Sequence, residues 1–302
     1  MLKDLWAITK AAAKDWQQDN AMRLSAALAY YSVFSLAPIL LVAISVAGFI
    51  FGEDAARGAI EQQLTGSIGQ DSAAAIQEMV DSARKGGNNA LMGFVGGIVL
   101  LFSASGVFAQ LKEAMNLVWE IEPKKDRAIW MLIRTRFLSL SMVLAIGFLL
   151  LTSLVLSTAL AATVSWLGAV LPIHPFLIQA LGFILSLGIV TLLFALIFKV
   201  LPDAKIEWRD VWTGAFVTAC LFSIGKFFLA LYLSREATAS TYGAAGALVL
   251  ILVWVYYTTN LLLFGAELTQ ANARFHGREI LPAPGAKKSQ KIQADFPEEA
   301  LE

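Results

Sequence analysis

Long apolar stretches recur along the chain and are separated by shorter polar segments. A helix needs about 20 mainly apolar residues to cross a hydrocarbon layer of about 30 Å. Six stretches are close to or above that length: 33–51, 91–110, 139–164, 176–198, 211–233 and 244–266. The pattern predicts an all-α, polytopic integral membrane protein with six transmembrane helices.

Composition and charge support this fold class. Of the 302 residues, 58% are hydrophobic and 15% are charged, whereas about 25% are charged in an average soluble protein. Of the 23 Lys and Arg residues, 17 lie before the first stretch, between the second and third, between the fourth and fifth, or after the last. Because cytoplasmic loops hold the excess of Lys and Arg, both termini are predicted to be cytoplasmic.

Three polar segments complete the predicted organisation. Residues 1–24 predict an amphipathic helix lying in the inner membrane interface, although a helix packed on the protein's own cytoplasmic side fits the pattern equally well. Residues 52–90 predict a small helical segment outside the membrane, with Ala73, Ile76 and Val80 in helical register. Residues 1–281 then form one membrane domain, and residues 282–302 predict a disordered cytoplasmic tail.

Polar residues and a proline crowd the start of the first apolar stretch. Pro38 has no N–H and frees the carbonyl of Phe34, so the helix is expected to kink or loosen there. Ser35, one turn earlier, is placed to satisfy the freed region. With Ser32 these residues predict a bent, partly polar inner half of the helix.

The last apolar stretch carries a polar strip. Tyr256, Asn260, Glu267 and Arg274 lie at successive offsets of 4, 7 and 7 residues, close to one helical face. Such a strip is costly against lipid, so it is predicted to face the bundle interior or a water-filled cavity. One alternative is that Asn260 and the threonines only bond neighbouring helices, while Glu267 meets water or a cytoplasmic base. The other is that the strip lines a vestibule, bounded also by Ser32 and Ser35, that admits a substrate from inside.

Lys226 is the one cation well within the fifth stretch, and two interpretations remain open for it. Its side chain either snorkels toward the outer surface or faces the interior and attracts an anionic group.

Enzymatic machinery is hard to find in this sequence. His174 and His276 form no cluster, and neither H-E-x-x-H nor the phosphate-binding G-x-x-x-x-G-K-[ST] occurs. The single Cys220 excludes an intramolecular disulfide, and a formal net charge of zero offers no basic field for nucleic acid. We therefore expect no enzyme, no cofactor, no metal and no nucleic-acid partner. Membrane lipids and a transported substrate are the expected partners, and a homo-oligomer stays open.

Three stretches carry a resemblance to a known family: "ALAYYSVFSLAP" at 27–38, "LPDAKIEWRDVWTGA" at 201–215 and "YGAAGALVLILVWVYYTTNLLLFGAELTQ" at 242–270. They are similar to the YihY/virulence factor BrkB family over most of residues 15–280. The resemblance implies a six-span protein of the bacterial inner membrane, with links to virulence, envelope lipids and transport. Besides Ser35, Pro38, Tyr256 and Glu267, the matching motif positions are Tyr30, Tyr31, Tyr242, Gly243, Gly246 and Gly265. For the two tyrosines of the first stretch, anchoring at headgroup level is the simpler role.

Three hypotheses of function follow. The first is a transporter or exporter of a lipid or an envelope-related solute, without its own ATPase. In it Glu267 binds a cation, a proton or a headgroup amine, while Asn260 and Tyr256 supply hydrogen bonds. The second is a non-transporting envelope scaffold that recruits partners. The third is a membrane-bound ribonuclease. It follows only from the label ribonuclease BN, which the family that this chain resembles has carried, and the sequence shows no nuclease site.

Overall fold

Helices dominate the part of the chain that the structure describes. The computed structural model describes residues 2–68, 70–85, 106–123, 175–236 and 243–289. The helices are α1 (Leu2–Gln18), α2 (Ala21–Phe51), α3 (Glu53–Ile68), α4 (Gln70–Lys85), α5 (106–118), α6 (Pro175–Val200), α7 (Trp208–Glu236) and α8 (Gly243–Phe275). Four short strands accompany them: β1 (Ile121–Pro123), β2 (Ala204–Lys205), β3 (Leu281–Pro282) and β4 (Ala286–Lys288).

Three of the described helices are long and apolar enough to cross a membrane. They contain the segments Gly182–Val200, Trp208–Leu229 and Leu248–Phe275, which overlap the predicted spans 176–198, 211–233 and 244–266. The predicted span 33–51 corresponds to the second half of α2. The span 139–164 and most of 91–110 lie outside the described residues, so the total of six spans stays a prediction.

Helix α8 is central among the described helices. It packs against α1, α2, α4 and α7, and α7 packs in turn against α6. The largest hydrophobic core gathers residues from α2, α5, α6, α7 and α8, and its fully buried members include Phe198, Met115 and Leu263. This core surrounds the C-terminal half of α8, which is the half that carries Glu267.

Helices α7 and α8 cross at two glycines, each facing a threonine of the other helix. A Cβ atom at Gly214 would overlap the side chain of Thr269, and a Cβ atom at Gly265 would overlap that of Thr218. Each threonine hydroxyl donates a 2.8 Å hydrogen bond to the carbonyl of the glycine four residues earlier in its own helix. Small residues thus let the two backbones approach closely, which gives the motif position Gly265 a packing role.

Helix α1 is shorter than the predicted helix of residues 1–24 and packs on the protein. It ends at Gln18, because Asn20 adopts a left-handed conformation with φ of 53°, which asparagine tolerates better than most residues. Ile8 and Ala12 pack against Leu268 and Ala271 of α8. Of the two alternatives for this segment, the described contacts are those of a helix packed on its own protein, although Trp6 remains 72% exposed.

Helices α3 and α4 fill most of the segment predicted to be a small helical unit. Ala73, Ile76 and Val80 are buried, as their helical register predicted. Ile76 and Val80 belong to one core with Ala37 of α2. Ala37 lies 14 residues before the end of α2, or about 21 Å at 1.5 Å per residue. The hairpin therefore packs along the side of α2, and its position relative to the membrane stays a prediction.

The tail is ordered further than predicted, and the fold is not purely helical. Strand β3 pairs with β2, and β4 pairs antiparallel with β1, placing Ile121 opposite Lys288. Disorder from residue 282 was therefore wrong as far as residue 289. Local composition could not reveal this order, because the strand that pairs with β4 comes more than 160 residues earlier in the chain. Residues 290–302 lie outside the described part.

Candidate functional site

The polar strip of α8 begins at mid-helix with two half-buried side chains. Asn260 donates a 2.9 Å hydrogen bond from Nδ2 to the carbonyl of Tyr256, which satisfies one side of the amide within the helix itself. The Asn260 Oδ1 atom is buried and has no hydrogen-bond partner among the residues that the structure describes. Thr259, beside it, is buried. This part of the strip thus retains an acceptor that the described neighbouring helices do not satisfy.

Glu267 is the most unusual residue of the strip. Its side chain is 0% exposed, and neither carboxylate oxygen has a hydrogen-bond partner among the described residues. Leu263 and Ala266, on the same stretch of α8, belong to the main hydrophobic core. Nearly all buried polar groups in proteins are hydrogen-bonded, so a buried carboxyl without a partner requires an explanation.

The charged side chains that act electrostatically on Glu267 come from three parts of the chain: the end of α1, α8, and the turn before β1. The charges acting on its carboxyl are those of Asp19 and Asp15 near the end of α1, Arg274 of α8, and Glu120 before β1. Arg274 bridges two of the acids, with 3.1 Å from Nη1 to Asp15 Oδ2 and 2.8 Å from Nη2 to Glu120 Oε1. We call Arg274, Asp15 and Glu120 the Arg274 cluster; it lies at the C-terminal end of the strip.

The Arg274 cluster is held only weakly. The side chains of Arg274, Asp15 and Glu120 are 45%, 26% and 34% exposed. Ion pairs at such solvent-accessible positions each contribute about 0–1 kcal/mol. Opening this end of the strip would therefore cost little electrostatic energy.

Four further buried polar atoms of the described residues have no hydrogen-bond partner. They are the indole Nε1 atoms of Trp16 and Trp119 and the hydroxyls of Thr258 and of Ser25, which is 0% exposed. Trp119 is a member of the main core, and Trp16 packs against it. Sequence reasoning missed Asp15 and Glu120 as parts of the site, because they lie on α1 and the α5–β1 turn, and no periodicity on α8 indicates them.

The serines and the proline of α2 lie within one continuous helix. Ser35 is buried and donates from Oγ to the carbonyls of Tyr31, at 3.0 Å, and Ser32, at 3.2 Å. Its hydroxyl thus bonds the turn that precedes it, and a bend at Pro38 stays a prediction. Pro38 is buried inside α2, which is helical on both sides of it.

Several predicted site residues lie away from Glu267. Tyr30 and Tyr31 are 60% and 44% exposed, with the ring of Tyr30 4.9 Å from that of Phe34. Lys226 of α7 is exposed, and so is its neighbour Phe227. The structure therefore does not bring Lys226 to the strip. Two of the remaining motif positions lie at the start of α8: Gly243 is its first residue, and Gly246 is half-buried. Tyr242 lies outside the described residues.

A partly buried ion pair connects the segment after α8 to the start of α7. Gly277, with φ of 67°, ends α8 and turns the chain back, so that Arg278 donates from Nε to Asp210 Oδ2 at 3.0 Å and from Nη2 to Asp210 Oδ1. Asn272 also donates to Asp210, which is 1% exposed. The hydrogen bonds to Asp210 raise the pKa of the Arg278 guanidinium. This arrangement holds the helix that carries Glu267.

A second polar cluster joins α5 to the loop before α7. Asn116 donates to the Asp203 carboxylate at 3.1 Å and accepts the Asp203 backbone N–H at 2.8 Å, while Lys112 pairs with the same carboxylate at 2.9 Å. At the end of β4, the Lys288 side chain donates a hydrogen bond to the Glu279 carboxylate. This bond lowers the pKa of the Glu279 carboxyl. Within the described residues, no group of three His, Cys, Asp or Glu side chains is placed to hold a metal ion.

Comparison with known proteins agrees with this architecture. The pattern of the family described as "Virulence factor BrkB" matches residues 12–290, which is most of the chain. The chain belongs to the virulence factor BrkB family. It is 28% identical over 275 residues to a UPF0761 membrane protein of Verminephrobacter eiseniae, covering 87% of this chain and 62% of that protein. It is 27% identical over 249 residues to a UPF0761 membrane protein of Pseudoalteromonas translucida, covering 80% and 78%. No solved structure matches.

These similarities establish a membrane protein of the BrkB family. The chain spans less than two thirds of the first of these relatives, and the relatives' names state only that they are membrane proteins. The activity of this BrkB-family chain must therefore be argued from its own site.

Proposed function

We propose that this chain is a transporter or exporter of the bacterial inner membrane, with both termini cytoplasmic, that moves a lipid or an envelope-related solute. It is not an enzyme and has no ATPase of its own, and its partners are membrane lipids and the transported substrate. Glu267 supplies the charge that binds a cation, a proton or a headgroup amine. Asn260 and Tyr256 supply hydrogen bonds along the route.

One observation carries this proposal: Glu267 is fully buried in a helix that is long and apolar enough to cross a membrane, and it has no hydrogen-bond partner within the described ranges. An ionisable residue within a membrane-spanning helix is costly and commonly marks a substrate or ion pathway. A carboxyl needed only for helix packing would be expected to have a hydrogen-bond partner. The buried threonines near it do have one, because each hydroxyl donates to a carbonyl of its own helix. Because Glu267 is fully buried in this structure, the proposed transport requires the helix ends near it to move apart, and we infer that the Arg274 cluster is where they do so.

Replacing Glu267 by glutamine is expected to slow transport at least about tenfold, which corresponds to about 1.4 kcal/mol in the activation barrier. Folding should stay near wild type, because the carboxyl loses no hydrogen bond and glutamine has the same shape. The measurement is translocation of a fluorescent phospholipid in proteoliposomes, read as the fraction of label that an external quencher reaches. Protein-free vesicles give the background.

Glu279→Gln is the matched control, because it removes a carboxyl that is exposed and lies beyond the end of α8. It should translocate lipid like wild type. Equal rates for wild type and Glu267→Gln, both clearly above background, would remove Glu267 from the route. Background rates for both folded proteins would exclude this lipid as substrate, and uptake of small solutes would then decide between a solute transporter and the scaffold.

A further inference from the structure

The surroundings of Glu267 suit a neutral carboxyl. Isolating an ionised carboxylate from water is very costly unless donors or a positive charge compensate it, and such groups neutralise instead. In the part of the chain that the structure describes, no donor lies within hydrogen-bond distance of either Glu267 oxygen. The one positive charge among the groups acting on it, Arg274, is already paired with Asp15 and Glu120.

The same geometry discriminates between the cations that Glu267 could take. Calcium takes six to eight oxygen ligands, and other metal ions likewise need several ligand atoms. Within the described ranges no cluster of three acidic, His or Cys side chains exists to supply them. A proton needs only one carboxylate oxygen. Glu267 therefore fits a proton better than a metal ion.

The charges around the entrance favour delivery of cations. Asp15 of α1, Asp19 just after it and Glu120 before β1 act on Glu267 by their charge, against one base among the described groups, Arg274 of α8. This excess of acidic groups attracts protons to the end of the strip. The pairs that hold Arg274 are solvent-accessible and weak, so this end of the strip is where we expect water to enter.

We propose that Glu267 is a proton-binding site that exchanges with the solvent at the Arg274 cluster. In the closed state one Glu267 oxygen carries the proton as a neutral acid. When the cluster opens, that O–H bond breaks, the proton passes to water, and the ionised carboxylate becomes free for the next cycle. This inference rests on the proposed transport function for its purpose, but its test does not require transport.

Infrared difference spectroscopy on the purified, lipid-reconstituted protein tests the proposal directly. Acidification minus alkalinisation spectra of wild type are expected to contain a C=O band of a protonated carboxyl in an apolar environment. The band should shift in deuterated water and be lost in Glu267→Gln. It should remain in Glu279→Gln, whose carboxyl is exposed and hydrogen-bonded to Lys288.

Two further measurements keep the test decisive. If Glu267→Gln does not fold, Glu267→Asp replaces it, and the band should then move in frequency. A wild-type spectrum without such a band, or a band unchanged by both substitutions, overturns the proton site. A Glu267 band in a protein that translocates neither lipids nor solutes upholds the proton site and rejects the proposed transport function. Transport that depends on Glu267, in a protein whose spectrum lacks the band, would uphold the proposed transport function and reject the proton site.

Discussion

Gly214→Ala is expected to force α7 away from α8 and to lower the free energy of unfolding by about 1–3 kcal/mol, the usual range for overpacking. The added Cβ would overlap not only Thr269 but also the backbone carbonyl oxygen of Gly265, and a backbone atom cannot rotate aside. Thermal unfolding in detergent, followed by loss of the monodisperse peak in gel filtration, measures the effect. Glu267 lies two residues from this crossing, so transport should fall as well.

Two matched variants show whether the crossing itself is responsible. Gly188→Ala, on α6, places a Cβ where nothing lies within 4 Å, and should be neutral or stabilising by up to about 1 kcal/mol through helix propensity. At Gly265 the nearest obstacle is the hydroxyl of Thr218, so Thr218→Ala should partly rescue Gly265→Ala. Thr269→Ala should not rescue Gly214→Ala to the same degree. Equal stability of the Gly214 and Gly188 variants would refute the close crossing.

Asp210→Ala is expected to be the second large change, and to lower the free energy of unfolding by about 1.5–3 kcal/mol, the range for hydrogen bonds to charged groups. The substitution removes the acceptor for Arg278 and Asn272 at a position only 1% exposed. The loss stays below that of a fully buried pair, because the Arg278 side chain is 25% exposed and water can solvate it. The melting temperature and the rate of proteolysis after Arg278 both report the change.

Asp210→Asn should fall between wild type and Asp210→Ala, since an amide oxygen still accepts a hydrogen bond but carries no charge. Glu279→Ala breaks an ion pair in the same segment whose two side chains are 68% and 47% exposed, and should change the melting temperature little. If Asp210→Ala melted like Glu279→Ala, the pair with Arg278 would have no structural importance.

The sequence predicts well those features that depend on local spacing. Apolar runs located the helices that contain Gly182–Val200, Trp208–Leu229 and Leu248–Phe275. The register of Ala73, Ile76 and Val80 correctly indicated a buried helical face. The spacing of polar residues on α8 singled out Glu267, and the structure buries that side chain completely.

The features that sequence could not predict all depend on contacts between distant segments. Arg274 meets Asp15 and Glu120, which come 259 and 154 residues earlier in the chain. Strand β4 forms because β1 is available to pair with it. The sequence does not show why the α7–α8 crossing requires glycine at two positions, because each glycine faces a threonine of the other helix. A single sequence contains no signal that joins such pairs.

The central claim is that the strip of α8 lines a route open to water, and the most direct test is cysteine accessibility. In a Cys220→Ser background, Asn260→Cys places a thiol on the strip and Val253→Cys places one on the 55% exposed apolar surface of α8. Water-soluble, membrane-impermeant thiol reagents react with the thiolate, which forms only where water reaches. Glu279→Cys, beyond the end of α8, serves as the accessible control.

We expect the Asn260 cysteine to be modified from the side of the Arg274 cluster, more slowly than the Glu279 cysteine, while the Val253 cysteine stays unmodified. That result would mean that the closed strip opens to water in the membrane. An Asn260 cysteine as unreactive as the Val253 cysteine, in protein whose Glu279 cysteine reacts fully, would contradict the account and leave the strip with a packing role only.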